Sequence, residues 1–167
     1  FNCDQLEGDY REMVTSDYLF SKDRHTGKDL WTYKNDSVIF HNTIAVGNER
    51  FYLVESQNPQ ALANTDGRMR IDLFCRQDTY LVALDKQTGT QIWREPFKFP
   101  FEHIMFLSCA QGTVLATGTY NIEDKVLYHL YAFDTDTGKK KWESSYDGGG
   151  TGGTRHCAAS AGPRRNY

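Results

Sequence analysis

An all-β chain of repeated antiparallel units is the fold class this sequence predicts, and three observations predict it. The phrase Asp-x-x-Thr-Gly-x-x-x-Trp occurs three times, at residues 23–31 (DRHTGKDLW), 85–93 (DKQTGTQIW) and 134–142 (DTDTGKKKW), and these copies hold all three tryptophans of the chain. Each copy follows a short apolar-aromatic run: Tyr18-Leu19-Phe20, Tyr80-Leu81-Val82-Ala83-Leu84 and Leu130-Tyr131-Ala132-Phe133. Helical periodicity is nearly absent; only residues 60–64 read as a short helical turn.

The spacing of the copies sets the architecture. Trp31 and Trp93 are 62 residues apart, Trp93 and Trp142 49. Periods of roughly 40–50 residues belong to propeller blades of four short strands. Residues 56–72 (SQNPQALANTDGRMRID) account for the longer interval. They are polar, carry Pro59 and an Asp66-Gly67 turn signal, lack a strand pattern, and read as an insertion. Removing about a dozen of them restores the shorter period.

Each copy reads as a β-hairpin, over residues 18–31, 80–93 and 130–142. The apolar run forms the outgoing strand. Asp23, Asp85 and Asp134 accept hydrogen bonds from the amides of the turn that follows. Gly27, Gly89 and Gly138 supply the positive φ of a tight turn. Trp31, Trp93 and Trp142 lie on the returning strand, where a large ring can wedge between neighbouring sheets. The middle run is apolar on both parities, Leu81 and Ala83 against Val82 and Leu84. Such a strand is covered on both faces, as in a blade stacked between two others.

Further strands lie between the hairpins. Thr43-Ile44-Ala45-Val46 and Arg50-Phe51-Tyr52-Leu53-Val54 flank Gly47-Asn48; His103-Ile104-Met105-Phe106-Leu107 and Thr113-Val114-Leu115-Ala116-Thr117 flank Gln111-Gly112. Strand, glycine turn, strand and hairpin give four strands per unit. The expectation is a β-propeller of four-stranded antiparallel blades, present as an incomplete set of about three.

LVALDKQTGTQIW and LYAFDTDTGKKKW resemble the repeat of the PQQ-like, quinoprotein-type β-propellers, whose blades carry an AxDxxTGxxxW tryptophan-docking signature. The resemblance runs from about Asp17 to Trp142; the first copy departs from it, with Ser21-Lys22 in place of Ala83-Leu84 and Ala132-Phe133. The wording SDYLFSKDRHTGKDLW followed by TIAVGNERFYLVES is also similar to large uncharacterised bacterial members. The class holds quinoprotein alcohol and sugar dehydrogenases, a lipoprotein scaffold for outer-membrane protein insertion, and many repeat proteins, so resemblance names the fold and leaves the function open. It implies the periplasm, the cell surface or secretion.

Propellers close with about 4–8 blades, whereas the hairpin copies here give two complete intervals and a partial one. An arc of that size leaves an edge and a blade face open. Residues 148–167 (GGGTGGTRHCAASAGPRRNY) lose all alternation where the next strand is due and read as an irregular glycine-rich tail. The expectation is therefore a piece of a longer protein, its propeller spanning residues 1–147, with the remaining blades or another protein chain as partner. A small open propeller completed by oligomerisation is the competing reading.

Composition narrows the partners. A net charge of −3 and a pI near 5.9 leave no electrostatic footprint for nucleic acid, and no apolar run nears the roughly 20 residues of a membrane helix. Cys3, Cys75, Cys109 and Cys157 lack the CxxC spacing of zinc ribbons and haem attachment; a disulfide in an oxidising compartment and plain thiols both remain open.

Candidate chemistry is sparse. Gly148-x-Gly150-x-x-Gly153 matches GxGxxG in letters but lacks the strand, helix and acid that pattern needs, and reads as a loop. Asp134-x-Asp136-x-Gly138 hints at a calcium loop, yet its remaining ligands are missing and the other copies carry His25 and Gln87 where Asp136 stands. Asp136 thus reads as incidental to a recurring turn. His25, His41, His103, His129 and His156 show neither HxxxH nor HExxH; His103 and His129 fall on or beside strands and read as packed side chains. Arg155-His156-Cys157 sits in the tail with Arg164-Arg165 nearby, a poor platform for a preorganised site. Ten Tyr and ten Phe, mostly beside Ile, Val or Leu, read as core rather than a stacking surface. Asn35-Asp36-Ser37 is a glycosylation sequon by pattern alone.

For a quinoprotein enzyme the resemblance implies a vicinal cysteine pair, a tryptophan under the cofactor, and Glu, Asn and Asp ligands to calcium on the propeller axis. The chain has no vicinal cysteines, and its tryptophans match the docking positions. No catalytic or cofactor residue carries over, and PQQ and calcium belong to the complete protein if to either. The favoured function is a structural or protein-interaction segment. The alternatives are a quinoprotein dehydrogenase for an alcohol or sugar, and a non-haem partner subunit of an electron-transfer complex.

Overall fold

The computed structural model describes residues 12–122 and 125–151. Their elements follow as β1 (Glu12–Lys22), β2 (Asp29–Phe40), a 3-10 turn (His41–Thr43), β3 (Ala45–Val46), β4 (Arg50–Ser56), α1 (Pro59–Leu62), β5 (Arg68–Arg70), α2 (Ile71–Phe74), β6 (Thr79–Asp85), β7 (Gln91–Pro96), β8 (Met105–Ala110), β9 (Thr113–Ile122), β10 (Lys125–Asp134) and β11 (Lys140–Thr151). The fold is all-β, built of antiparallel β-propeller-type blades. Strands β8, β9, β10 and β11 form one four-stranded meander, and β3, β4, β6 and β7 repeat that order. In backbone pairing the hairpin β1–β2 meets the second meander through Val38↔Ser56 and Ile39↔Glu55.

The two-faced reading of the middle run explains how the units stack. Leu81 and Ala83 enter the core shared with Val114, Ala116, Tyr131 and Phe133 of the third unit. Val82 and Leu84 point the other way, into a cluster with Trp31, Tyr33, Ile39 and Leu53. All four β6 side chains are fully buried, with Leu81, Val82 and Leu84 each contributing on the order of 1.5–3 kcal/mol. The abundant aromatics behave as core: Phe40, Phe74, Phe99, Phe101 and Phe133 are fully buried. Between β7 and β8, Phe97, Phe99 and Phe101 fold inward against Tyr131 and Phe133. Gly118 makes this fit, since a Cβ there would lie 2.3 Å from the Phe101 ring.

Two sequence expectations change. The insertion is part of the fold: β5 pairs with β1 through Glu12↔Arg70 and Met13↔Met69, while its Ala61, Met69 and Ile71, and Phe74 just beyond it, are at most 1% exposed. Its apolar residues are few and set among polar ones, so no extended alternation or helical period reveals their burial. At the other end β11 runs on to Thr151, past Asp147 where alternation stops. Here backbone pairing with β10, including Lys125↔Thr151, continues a strand that side chains no longer mark. Residues 1–11, 123–124 and 152–167, with Cys3, Gly153, Arg155, His156, Cys157, Arg164 and Arg165, lie outside the described residues.

Candidate functional site

The three Asp-x-x-Thr-Gly turns are one geometry made three times. Asp23 Oδ1 accepts from the His25 and Thr26 amides at 3.0 and 2.7 Å and from Thr26 Oγ1 at 2.8 Å. Asp85 Oδ1 accepts from the Gln87 and Thr88 amides at 2.9 and 2.8 Å and from Thr88 Oγ1 at 2.9 Å. Asp134 Oδ1 does the same with Asp136, Thr137 and Thr137 Oγ1, each at 3.0 Å. The glycine amide then closes on the Asp carbonyl at 2.8, 2.9 and 2.9 Å. Gly27, Gly89 and Gly138 take φ of +70°, +71° and +71°, the left-handed region that glycine enters without steric cost. Donors aimed at the ionised form hold all three carboxyls below the usual carboxylate range. The Thr amide dominates at Asp23 and Asp85, and Lys141 followed by Thr137 at Asp134.

Each glycine marks a seat, and two of the seats are filled from the preceding unit. Trp31 Nε1 donates to the Lys86 carbonyl at 3.1 Å, and its ring lies where a Cβ on Gly89 would come within 2.5 Å. Trp93 Nε1 donates to the Thr135 carbonyl at 3.0 Å, and its ring lies 2.7 Å from the place of a Cβ on Gly138. Glycine is thus required twice over, for its φ and for its missing side chain. At Gly27 nothing among the described residues comes within 4 Å of that place. Trp31 is 8% exposed, Trp93 half-buried and Trp142 48% exposed.

Around Trp93 a second contact reinforces the junction. Arg50 Nη1 donates to the same Thr135 carbonyl and, at 2.8 Å, to Asp136 Oδ1. Asp136 is therefore not incidental: it ties the third unit's turn to β4 of the second. The sequence hides this because Arg50 and Asp136 are 86 residues apart.

At the opposite end of the strands lies a buried ionic cluster. Glu55 is fully buried and accepts from Tyr33 Oη at 2.9 Å, Ser37 Oγ at 2.9 Å, Asn35 Nδ2 at 3.3 Å and Arg94 Nε at 2.6 Å. The Arg94 guanidinium lies 3.2 Å from the centroid of the Tyr80 ring, while its Nη2 is buried without a partner. Burial, then the Glu55 charge, pushes the Tyr33 hydroxyl well above the usual tyrosine value. Tyr33, Asn35 and Ser37 come from β2 and Arg94 from β7, so the cluster also ties two units together. A lone carboxylate inside the apolar run Phe51-Tyr52-Leu53-Val54-Glu55 was the available signal, since an unpaired buried charge costs too much to persist.

The remaining candidates are placed as follows. His129 stands on β10, stacked on Tyr131 at 4.4 Å, its two ring nitrogens buried without partners, and burial pulls its pKa down. His103 Nε2 faces Glu102 at 3.7 Å, His25 Nε2 accepts from Arg24 at 3.0 Å, and His41 Nε2 meets Ser16 Oγ at 2.9 Å. Cys75 is a buried free thiol and Cys109 a half-buried one, both pushed up by desolvation. Among the described residues no three His, Cys, Asp or Glu side chains converge to hold a metal ion. Asp23, Asp85 and Asp134 each bond within their own turns, and Glu55 takes four donors. A cleft of about 320 Å³ opens beside the third turn, lined by Gly47, Arg50, Cys109, Gln111 and Asp136. Another of about 380 Å³, lined by Cys75, Gln77, Tyr80, Phe97 and Lys98, opens at the other end.

Repeated four-stranded antiparallel units define a protein of the β-propeller type. The chain belongs to the family described as outer membrane protein assembly factor BamB, whose model matches residues 21–162. Among solved structures it is similar to the quinohemoprotein alcohol dehydrogenase of Comamonas testosteroni, at 18% identity and a TM-score of 0.48 over 77% of this chain and 18% of that one. It is also similar to BamB from Moraxella catarrhalis, at 14% identity and a TM-score of 0.37 over 80% of this chain and 44% of that one. The chain thus spans less than half the length of either. No curated protein matches it in sequence.

Proposed function

We propose that this chain is a structural or protein-interaction segment of a larger extracytoplasmic PQQ-like propeller. One observation carries the reading: two of the repeated tryptophans and the buried ion pair join neighbouring units, and the repeated aspartates shape the turns between them. Two tryptophans dock on the following turns, three aspartates hold turns in shape, and Glu55 with Arg94 ties β2 to β7. Tryptophan docking is then the means by which blades hold one another, and Asp23, Gly27, Trp31, Asp85, Gly89, Trp93, Asp134, Gly138 and Trp142 are its repeated parts. The open seat at Gly27 and the exposed Trp142 support further blades, or another protein chain, as what the segment meets. Membership of a family described as an outer membrane protein assembly factor supports a protein partner and a place in the periplasm, at the cell surface or in secretion. Among the described residues no helix is long and apolar enough to cross a membrane.

The test is to dialyse the purified chain against PQQ and calcium, then measure quinone absorbance and dye-linked alcohol oxidation. The expected outcome is neither bound quinone nor activity, with Trp93→Ala still lowering the melting temperature. Quinone retained in stoichiometric amount would overturn the reading in favour of a dehydrogenase.

A further inference from the structure

We infer that His129 makes the junction between the second and third units acid-sensitive: once its ring takes a proton, the connection at residues 97–101 loosens from the third sheet. Two junctions of one design differ at this point. His129 holds the place in β10 that Tyr80 holds in β6, each standing three residues before the alanine that pairs with the repeat tryptophan. Across the sheet Tyr80 pairs with Glu55 and His129 with Gly118. In the second unit that acid offsets the Arg94 charge stacked on Tyr80. In the third unit the place of the acid is a glycine, and the Phe101 ring fills it, 2.3 Å from where a Cβ would lie. His129 is thus set among rings, stacked on Tyr131 at 4.4 Å with Tyr120 at 5.8 Å. Both its ring nitrogens are buried with no hydrogen-bond partner among the described residues.

A neutral imidazole leaves one donor and one acceptor unmet in such a place, whereas the imidazolium leaves two donors and a full charge. The charges around it do not remove that cost. On β11 Glu143 favours the charged ring and Lys140 opposes it, and those two bond to each other at 2.7 Å. On the side of the second unit Glu95 turns to the Gly138 end, its Cγ 2.8 Å from the place of a Cβ there, and Lys98 lines the cleft beside Cys75. Glu102 accepts from the Asn121 amide at 3.1 Å and faces His103. The Tyr131 face attracts a cation, yet burial, opposed by Glu143, pulls the His129 pKa below its ordinary value of 6.5. With the folded value below the unfolded one, the stability held by neutral His129 is fully present above 6.5. It is lost as pH falls from there towards the folded value. The proton enters where the nitrogens reach water. What lies over them is the connection: Phe101 on Gly118 and Phe97 on Tyr131 at 4.8 Å. Its opening is therefore local, a step below global unfolding.

Proton NMR of the histidine rings, with melting temperatures and hydrogen exchange at two pH values, tests this. The His129 signal, assigned by its loss in His129→Phe, is expected to titrate below 6.5. The parent is expected to lose about 2–4 °C in melting temperature between about pH 7.5 and about pH 5. The Phe97 and Glu102 amides, bonded to the Thr79 and Thr119 carbonyls, report the connection. Corrected for intrinsic pH dependence, their exchange is expected to rise several-fold at the lower pH while that of β6 stays constant. His129→Phe keeps a ring that cannot ionise, and is expected to lose less in melting temperature and to show no such rise. Should it not fold, His129→Gln takes its place. A His129 titration at or above 6.5 overturns the inference. So does a His129→Phe chain with the parent's full loss, or a parent whose Phe97 and Glu102 amides stay as protected at the lower pH as at the higher.

Discussion

At the scale of single residues the turn is a small electrostatic device. An aspartate oxygen gathers two amides and a threonine hydroxyl, and the glycine amide then closes the loop. The threonine is structural through its hydroxyl, so Thr88→Val is expected to cost about 0.5–1.5 kcal/mol, the worth of one such bond, in urea unfolding. The aspartates link stability to pH. Their carboxyls are held below the usual range, so what they add is fully present above the unfolded value near 3.8. It is lost as pH falls through the lower folded value. Melting temperature is expected to drop between about pH 5 and pH 2, and Asp85→Asn to flatten part of that slope; an unchanged slope would show the turn bonds to be idle. Aspartate and glycine were legible in the sequence because their roles are local. The threonine was printed in every copy, yet spacing alone gave its hydroxyl no partner.

Elements are held together by contacts that differ in how far they reach along the chain. The runs at 80–84 and 130–133 became β6 and β10, whereas β5 and the end of β11 formed where no alternation announced them. The burial of the insertion escaped because Ala61, Met69 and Ile71 enter the core from a segment that is mostly polar. Glu55 and Arg94 escaped because 39 residues separate them, and only the folded sheet brings β4 and β7 to one place. Removing one partner of a buried pair strands the other, so Arg94→Met is expected to cost about 3–5 kcal/mol, read from denaturant midpoints. A loss below about 1 kcal/mol would place the pair with surface ion pairs instead. Trp93→Ala belongs to the same scale, with an expected loss of roughly 3–5 kcal/mol for truncating a buried aromatic. Trp142→Ala, at 48% exposure, is expected to stay within about 0.5 kcal/mol of the parent.

Across the described residues the repeated phrase has a direction: Trp31 and Trp93 each reach forward to the next unit's glycine. The sequence displayed the parts of this junction three times, and its family signature named the fold. It did not say which turn each ring would meet, because that depends on how one sheet stacks on the next. Three glycines with nearly equal φ allow the central claim to be isolated. Ala at any of them carries the same left-handed penalty, about 1–2 kcal/mol. Only at Gly89 and Gly138 does the added Cβ also meet a tryptophan, at 2.5 and 2.7 Å. The most direct measurement is therefore the unfolding free energy of Gly27→Ala, Gly89→Ala and Gly138→Ala side by side. The account expects the two filled seats to lose a further ~1–3 kcal/mol beyond Gly27→Ala through overpacking. Equal losses at all three positions would contradict it, leaving the glycines with a turn to make and no tryptophan to receive.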